Sequence, residues 1–261
     1  MPLLPNDELL WFLFSVRRRF RRQGPSIVLT SMPKSGSTFL SRVLQSVTGF
    51  SDAYLACAYG NTEQELYLPK VMDAWGRGTV TQQHFKANRH NLNLLEAFAL
   101  RPVVLVRNVL DVLVSMRDHA LQPELNSLPG LYPPSGFSGL GEERQFDFLV
   151  DYAAPWLISF YVSWEQVLRN GRSEVLLVRY EDAKQDWAVM GARILEFCGV
   201  EIEAERISRT VDRLQNERPE NVRRNVGIVG RGSQMLTESQ RERVATIASL
   251  YPDVDFSLVG L

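Results

Sequence analysis

The residues best suited to chemistry lie in one short segment, residues 31–39, with the sequence Ser-Met-Pro-Lys-Ser-Gly-Ser-Thr-Phe. An apolar run precedes the segment and a helical pattern follows it, so it is predicted to be a strand-to-helix loop. Such a loop directs backbone N–H groups and the positive end of the helix dipole toward one point. Its lysine adds a full charge, its glycine permits close approach of a ligand, and its hydroxyls add donors. The predicted phosphate-binding residues are Lys34, Ser35, Gly36, Ser37 and Thr38.

This loop differs from the phosphate loop of ATPases, Gly-x-x-x-x-Gly-Lys-Ser/Thr, because its lysine precedes the glycine and the first glycine is missing. An ATPase also needs a carboxylate at a strand end to hold Mg²⁺. Here the apolar runs at 103–106 and 175–178 are followed by Arg107 and Arg179. The sequence therefore predicts that a phosphate ester binds without a metal ion. The alternative is an ATP-dependent kinase or NTPase on a related fold.

A second candidate phosphate site follows the apolar run at 103–106. Arg107 comes directly after this predicted strand, and Ser115 lies eight residues later in a predicted helix. A guanidinium fork and a hydroxyl at this spacing can converge on one phosphate, whereas an isolated Arg107 could equally form a strand-end ion pair. Two such sites on adjacent strands suit a nucleotide that carries phosphates at both its 5′ and 3′ positions.

Both motifs resemble those of sulfotransferases that use 3′-phosphoadenosine 5′-phosphosulfate (PAPS). Residues 33–39 are similar to the family loop Pro-Lys-Ser-Gly-Thr-Thr-Trp, and residues 107–115 are similar to Arg-Asn-Pro-x-Asp with its later serine. The resemblance implies an α/β fold with three layers around a central parallel sheet, the P-loop-NTPase-like sulfotransferase fold. It also implies PAPS as co-substrate without a metal, Lys34 at the leaving oxygen, and Ser115 restraining Lys34 before the acceptor arrives.

Weaker matches extend the resemblance over about residues 25–232. Tyr180 stands in a Tyr-Glu-Asp segment that lies near adenosine in the family, although it could simply anchor a strand end. Arg223 or Arg224 matches a loop that closes on the 3′-phosphate, with a solvated loop as the alternative. Phe39 replaces the family tryptophan and is predicted either to stack on adenine or to join the core. Thr210 matches a threonine that touches the nucleotide.

A catalytic base is predicted at His84, at the end of a β-like run over 78–85. Histidine suits proton removal from an acceptor hydroxyl because its reference pKa is ~6.5. The segment resembles the family's Lys-Thr-His, which carries the catalytic histidine, but Gln82 and Gln83 replace the first two residues. The help that the family lysine gives is therefore missing or comes from elsewhere, such as Lys86. His90 and His119 lack this context and are predicted to be ordinary surface or packed histidines.

Composition limits the partners of the chain. The net charge of −1 over 261 residues excludes a whole-surface electrostatic grip on nucleic acid. Two cysteines and three histidines give little support to a disulfide framework or a metal cluster. The low cysteine count indicates a reducing compartment, so a cytoplasmic enzyme is predicted, and no segment reaches the ~18–20 apolar residues of a membrane span. Its acceptor is expected to be a small molecule with a hydroxyl group, for instance a secondary metabolite, and its oligomeric state is open.

Strand-like and helix-like runs alternate along the sequence. This pattern predicts a single α/β domain over residues 25–261, whose strands and helices position the site residues. Residues 1–24 are predicted to form a basic amphipathic helix that docks on its own domain or, as the less favoured alternative, contacts a membrane surface. Residues 121–141 are rich in proline and glycine and predict a mobile loop over the active site, or else a passive insertion. A non-enzymatic nucleotide-binding module that docks a partner through the N-terminal helix is a third reading.

Overall fold

The computed structural model describes residues 24–57, 64–122, 131–171, 173–217 and 228–261. Five strands form one parallel sheet in the order β2-β3-β1-β4-β5. The strands are β1 Gly24–Ser31, β2 Ser51–Asp52, β3 Arg77–Gln83, β4 Pro102–Val106 and β5 Leu176–Arg179. The helices are α1 Ser37–Thr48, α2 Leu68–Ala74, α3 Arg89–Ala97, α4 Val109–Ala120, α5 Glu142–Tyr152, α6 Ala154–Asn170, α7 Tyr180–Gln185, α8 Trp187–Phe197, α9 Ala204–Asn216, α10 Arg231–Met235 and α11 Glu238–Ser249.

The central strands are apolar on both faces and therefore separate two cores. Val28 of β1 and Val104 of β4 face a core built with α2 to α6 and α11, whereas Leu29 and Leu105 face a core built with α1, α8 and α9. This is the near-continuous apolar pattern expected of parallel strands covered by helices on both sides. The predicted three-layer α/β fold is confirmed.

Several predicted elements begin and end where their sequence signals lie. Gly49 ends α1 in the left-handed conformation (φ 75°), with its N–H bonded to Gln45. Thr237 and Gln240 form a capping box at the start of α11. The helices α5, α6 and α9 lie in segments to which the sequence assigned no element.

The strand order brings the carboxyl ends of β3, β1, β4 and β5 to one edge of the sheet, which is where parallel α/β sheets bind their ligands. Residues 1–23 and 123–130, which include most of the predicted N-terminal helix and part of the predicted mobile loop, lie outside the described residues. The described end of that loop packs inward, with Leu131 and Phe137 buried. Within the described ranges, no helix is long and apolar enough to cross a membrane.

Candidate functional site

The predicted phosphate loop joins β1 to α1 and has an unusual backbone. Lys34 (φ 64°) and Gly36 (φ 77°) both adopt the left-handed conformation, which is rare for a lysine. Gly36 is the N-cap of α1, and neither a capping side chain nor an acidic residue satisfies the first turn. The first N–H groups of the helix thus keep their capacity to bind an anion.

Aromatic rings enclose the glycine of this loop. A β-carbon on Gly36 would lie 2.9 Å from the Trp187 ring and 3.0 Å from the Tyr180 ring, so a side chain is excluded by space as well as by φ. Phe39 packs edge-on against Trp187, with ring centroids 5.0 Å apart, and is only partly buried. Phe39 therefore packs on the core and keeps exposed surface beside the loop.

Arg107 connects the phosphate loop to the next strand. Its Nη1 donates to the Lys34 carbonyl at 2.8 Å, and its guanidinium lies 4.4 Å from the centroid of the Tyr180 ring. The side chain is only 5% exposed. The N–H of the next residue, Asn108, donates to the Glu181 carboxylate at 3.0 Å, which joins the residues after β5 to the start of α4. The loop, Arg107 and Tyr180 are thus brought together.

Asp111 fastens the C-terminal part of the chain to this same edge. Its two carboxylate oxygens accept the N–H groups of Gly230 and Gly232, each at 2.7 Å. Gly232 packs so closely on α4 that a β-carbon would lie 2.4 Å from that of Leu110. Arg107 also donates to the Ile228 carbonyl at 3.4 Å. The segment that follows residues 218–227 therefore begins beside Arg107.

His84 is fixed beside the start of the phosphate loop. Its Nδ1 lies 2.8 Å from the Ser31 carbonyl oxygen and 3.2 Å from Ser31 Oγ. Its backbone N–H donates to Gln64 Oε1 at 2.9 Å. The adjoining Phe85 exchanges two hydrogen bonds with the Thr30 hydroxyl, at 2.8 and 3.1 Å. Because Thr30 and Ser31 end β1, the phosphate loop and His84 are both anchored to the end of this strand.

These contacts decide which nitrogen of His84 can act as a base. A carbonyl oxygen only accepts hydrogen bonds, so Nδ1 carries the proton and Nε2 presents its lone pair. Gln82 Nε2 lies 3.3 Å from that atom and is placed to donate to it. Desolvation of the ring, with the nearby charge of Lys34, lowers the pKa of His84 to about 4, although the bond to Ser31 opposes the shift. The ring is neutral at pH 7.

The lowered pKa leads to a first prediction. A group whose pKa lies below its ordinary value stays neutral until the pH falls through the lowered value, so His84 should remain neutral through pH 6.5 and gain its proton only near pH 4. The measurement is a titration of the histidine ring signals by NMR, with His84 assigned from the H84Q spectrum. A midpoint near 6.5 would mean that the ring is solvated and that Lys34 lies farther away.

His119, which the sequence predicts to be an ordinary surface or packed histidine, contacts the lysine of the phosphate loop. His119, in the last turn of α4, is 8% exposed, and its Nδ1 lies 3.2 Å from Lys34 Nζ. A signal for it existed: Ser115 and His119 are four residues apart and so share one face of the helix. Trp187, which encloses Gly36, was missed as well.

The other predicted residues are placed less centrally or lie outside the described ranges. Ser115 is buried on α4. The Thr210 hydroxyl donates to the Arg206 carbonyl of its own helix, α9, at 2.8 Å. The Lys86 ammonium lies 5.2 Å from the centroid of the Trp156 ring on α6, whereas Gln82 is the side chain that reaches His84 Nε2. The segment with Arg223 and Arg224 falls within the undescribed residues 218–227.

Two unsatisfied polar atoms indicate what the edge of the sheet accommodates. Ser35 Oγ and Arg107 Nε are buried and have no hydrogen-bond partner among the described residues. Leaving a buried donor unpaired costs free energy, so these atoms suit a ligand rich in acceptor oxygens. Across the same described ranges, no group of three or more His, Cys, Asp or Glu could hold a metal ion.

Comparison with known proteins agrees with this arrangement. The family model described as "Sulfotransferase domain" matches residues 24–226, which is most of the chain. The chain therefore belongs to the sulfotransferase family. No curated protein sequence matches it significantly.

Solved structures with the same fold include mouse sulfotransferase SULT7A1 complexed with PAP (3′-phosphoadenosine 5′-phosphate). A second neighbour is in complex with PAP as an inactive cofactor. The SULT7A1 chain is 17% identical with a TM-score of 0.63, over 90% of this chain and 86% of the other. The second neighbour, retinol dehydratase in complex with androsterone and PAP, is 16% identical with a TM-score of 0.58, over 88% and 81% of the two chains. These similarities confirm the sulfotransferase fold.

Proposed function

We propose that this protein transfers the sulfuryl group of PAPS to a hydroxyl group of a small-molecule acceptor. One observation carries the proposal: a single loop supports both halves of the reaction. Ser31, at the start of the loop, bonds to His84, the predicted base. The Lys34 carbonyl of the same loop accepts a hydrogen bond from Arg107, the residue predicted to bind the 3′-phosphate. A nucleotide bound at the loop would thus place its transferable group close to the histidine.

The nucleotide would be bound by positive charge and by oriented N–H groups. Lys34 and the first turn of α1 would take the 5′-phosphosulfate, with loop residues Ser35, Gly36, Ser37 and Thr38 around it. Arg107 would bind the 3′-phosphate, together with Ser115 and with Arg223 or Arg224. Tyr180 and Phe39 would flank the adenosine. Thr210 keeps its predicted role as a further nucleotide contact.

The chemistry would be an in-line displacement at sulfur. The acceptor oxygen attacks sulfur while Nε2 of His84 removes its proton, and the bond between sulfur and the phosphate oxygen breaks. The products are the sulfate ester and 3′-phosphoadenosine 5′-phosphate (PAP), whose new oxygen charge Lys34 neutralises. Because His84 is neutral at pH 7, it is ready to accept the proton.

A small acceptor is supported by the complexes of the structural neighbours. Retinol dehydratase is described in complex with androsterone and, separately, with retinol. In this chain we place the acceptor on the Nε2 side of His84, between the end of β3 and the described end of the 121–141 loop. The class of enzyme is then a PAPS-dependent sulfotransferase (EC 2.8.2 type).

The proposal is tested by calorimetric titration of the full chain with PAP, and separately with ATP and Mg²⁺. We expect PAP to bind without a metal and more tightly than adenosine 5′-phosphate, which lacks the 3′-phosphate. A preference for ATP with Mg²⁺, and indifference to the 3′-phosphate, would instead favour the kinase alternative. A screen of radiolabelled PAPS against small alcohols and phenols would then identify the acceptor.

The R107A variant should bind PAP about tenfold to a hundredfold more weakly, because a hydrogen bond to a charged group contributes ~1.5–3 kcal/mol. R107K should fall between the two, since it keeps the charge but loses the guanidinium fork. The matched control is R77A, which removes a partly exposed arginine at the start of β3, away from the site. Unchanged PAP binding in R107A would remove Arg107 from the proposed site.

A further inference from the structure

The contact between Lys34 and His119 has a defined hydrogen-bond direction. A lysine ammonium has three donors and no acceptor, so the bond from Lys34 Nζ must end on a lone pair of His119 Nδ1, 3.2 Å away. His119 is then neutral and carries its proton on Nε2. This is the opposite tautomer to His84, in which Nδ1 donates to Ser31. The two histidines of the site are thus prepared for different tasks.

The segment formed by Arg107 and α4 contacts Lys34 twice, at its backbone carbonyl and at its side-chain ammonium. Arg107, which directly precedes α4, donates to the Lys34 carbonyl at 2.8 Å. His119, in the last turn of α4, accepts from the ammonium. A free lysine side chain has about 2 kcal/mol of rotamer entropy, which must be lost whenever its ammonium is fixed. Because Arg107 and His119 hold Lys34 in the folded protein, part of this rotamer entropy is already lost on folding and need not be lost during the reaction.

We propose that His119 is a positioning residue, which orients the Lys34 ammonium toward the leaving oxygen through a neutral Nδ1. This inference rests on the proposed function for the role of Lys34, but the contact itself does not. Binding of the nucleotide depends on several groups, including Arg107 and the N-terminus of α1. Misplacing the ammonium should therefore affect the chemical step more than it affects binding.

The first test compares H119L with H119N. Leucine removes the acceptor, whereas the asparagine oxygen can take the place of Nδ1. In H119L we expect kcat to fall tenfold to a hundredfold, with the KM for PAPS changed less than about threefold, because a small misplacement of a catalytic group has effects of this size. H119N should recover most of kcat. Turnover is followed as PAP release with the alcohol or phenol that the acceptor screen identifies.

Two results of that test would overturn the inference. One is an unchanged kcat in H119L. The other is an equal loss in H119L and H119N that follows a lowered melting temperature, since that pattern would show a packing role only. The control is H90Q, because His90 contacts a backbone carbonyl, that of Leu66, and lies on the exposed start of α3.

The second test needs no turnover. The chain has three histidines, so a long-range ¹H–¹⁵N spectrum of the labelled protein contains few ring signals, and each is assigned by substitution. We expect the Nε2–H pattern for His119 and the Nδ1–H pattern for His84, and K34M should shift His119 Nδ1 but leave His90 unchanged. An Nδ1–H pattern for His119, or no response to K34M, would overturn the inference. Lack of sulfuryl transfer with the expected spectrum would instead count against the proposed function alone.

Discussion

Replacing His84 by alanine is expected to lower kcat about 10²–10⁴-fold, the usual contribution of a positioned general base. The lowered pKa keeps the ring neutral at pH 7, its Nδ1 is engaged by Ser31, and its Nε2, which faces the Gln82 amide, receives the proton when the acceptor takes the place of that amide. Without the ring, the acceptor oxygen must lose its proton to water. The measurement is single-turnover conversion of PAPS at saturating acceptor, which separates the chemical step from release of product.

The nucleotide site should survive this substitution. His84 contacts β1 through Ser31, whereas the backbone of the neighbouring Phe85 stays fixed by the Thr30 hydroxyl. We therefore expect PAP to bind H84A within about threefold of the unchanged protein, and H84Q to behave alike. Full turnover in H84A would show that another group is the base. A turnover loss that merely parallels lost PAP affinity would mean that His84 supports the loop instead.

The parts of the site that the sequence predicts are those attached directly to strand ends. Lys34 and Arg107 each follow an apolar run closely, and His84 lies at the end of a β-like run. A parallel sheet places such ends at one edge, so the motifs predict convergence without any knowledge of side-chain packing. The alternation of strand-like and helix-like runs predicts an α/β domain, and the three-layer arrangement, which the structure confirms, is what the family resemblance implies.

The parts that the sequence did not predict depend on how the elements pack. The spacing of four residues places His119 on the same face of α4 as Ser115, but only the packing of α4 against the loop brings its ring within 3.2 Å of the Lys34 ammonium. Trp187 reaches Gly36 only because α8 packs beside α1 on the same face of the sheet.

Gln82 shows the limit of reasoning from a motif. The family pattern has a lysine at this position, and its replacement suggested lost help or a substitute such as Lys86. Instead, the amide of Gln82 reaches Nε2 of His84, while the Lys86 ammonium lies over Trp156. A neutral donor next to the base does not add a second charge to a site that already contains Lys34. This arrangement is consistent with a single cation carrying the charge of the leaving oxygen.

Removing the charge of Lys34 is expected to have the second large effect on kcat. The K34M variant keeps a side chain of similar length without its charge, and its kcat is expected to fall about 10²–10³-fold, as when one donor to a developing oxyanion is removed. The loss should exceed the loss in PAP affinity, because the charge on the leaving oxygen is greatest as the bond to sulfur breaks. Single-turnover rates and calorimetry on the same preparation give the two quantities.

The backbone at Lys34 offers a sharper variant of this experiment. A lysine at φ 64° costs roughly 1–2 kcal/mol of strain, which glycine would relieve. K34G should therefore lose activity like K34M while its melting temperature stays equal or rises, whereas the exposed control K70M should change neither quantity. A K34G protein that melts well below the unchanged one would show that Lys34 supports the fold through its contact with His119. If K34G is inactive but as stable as the unchanged protein, the strained backbone at this position is kept because activity needs the lysine charge there.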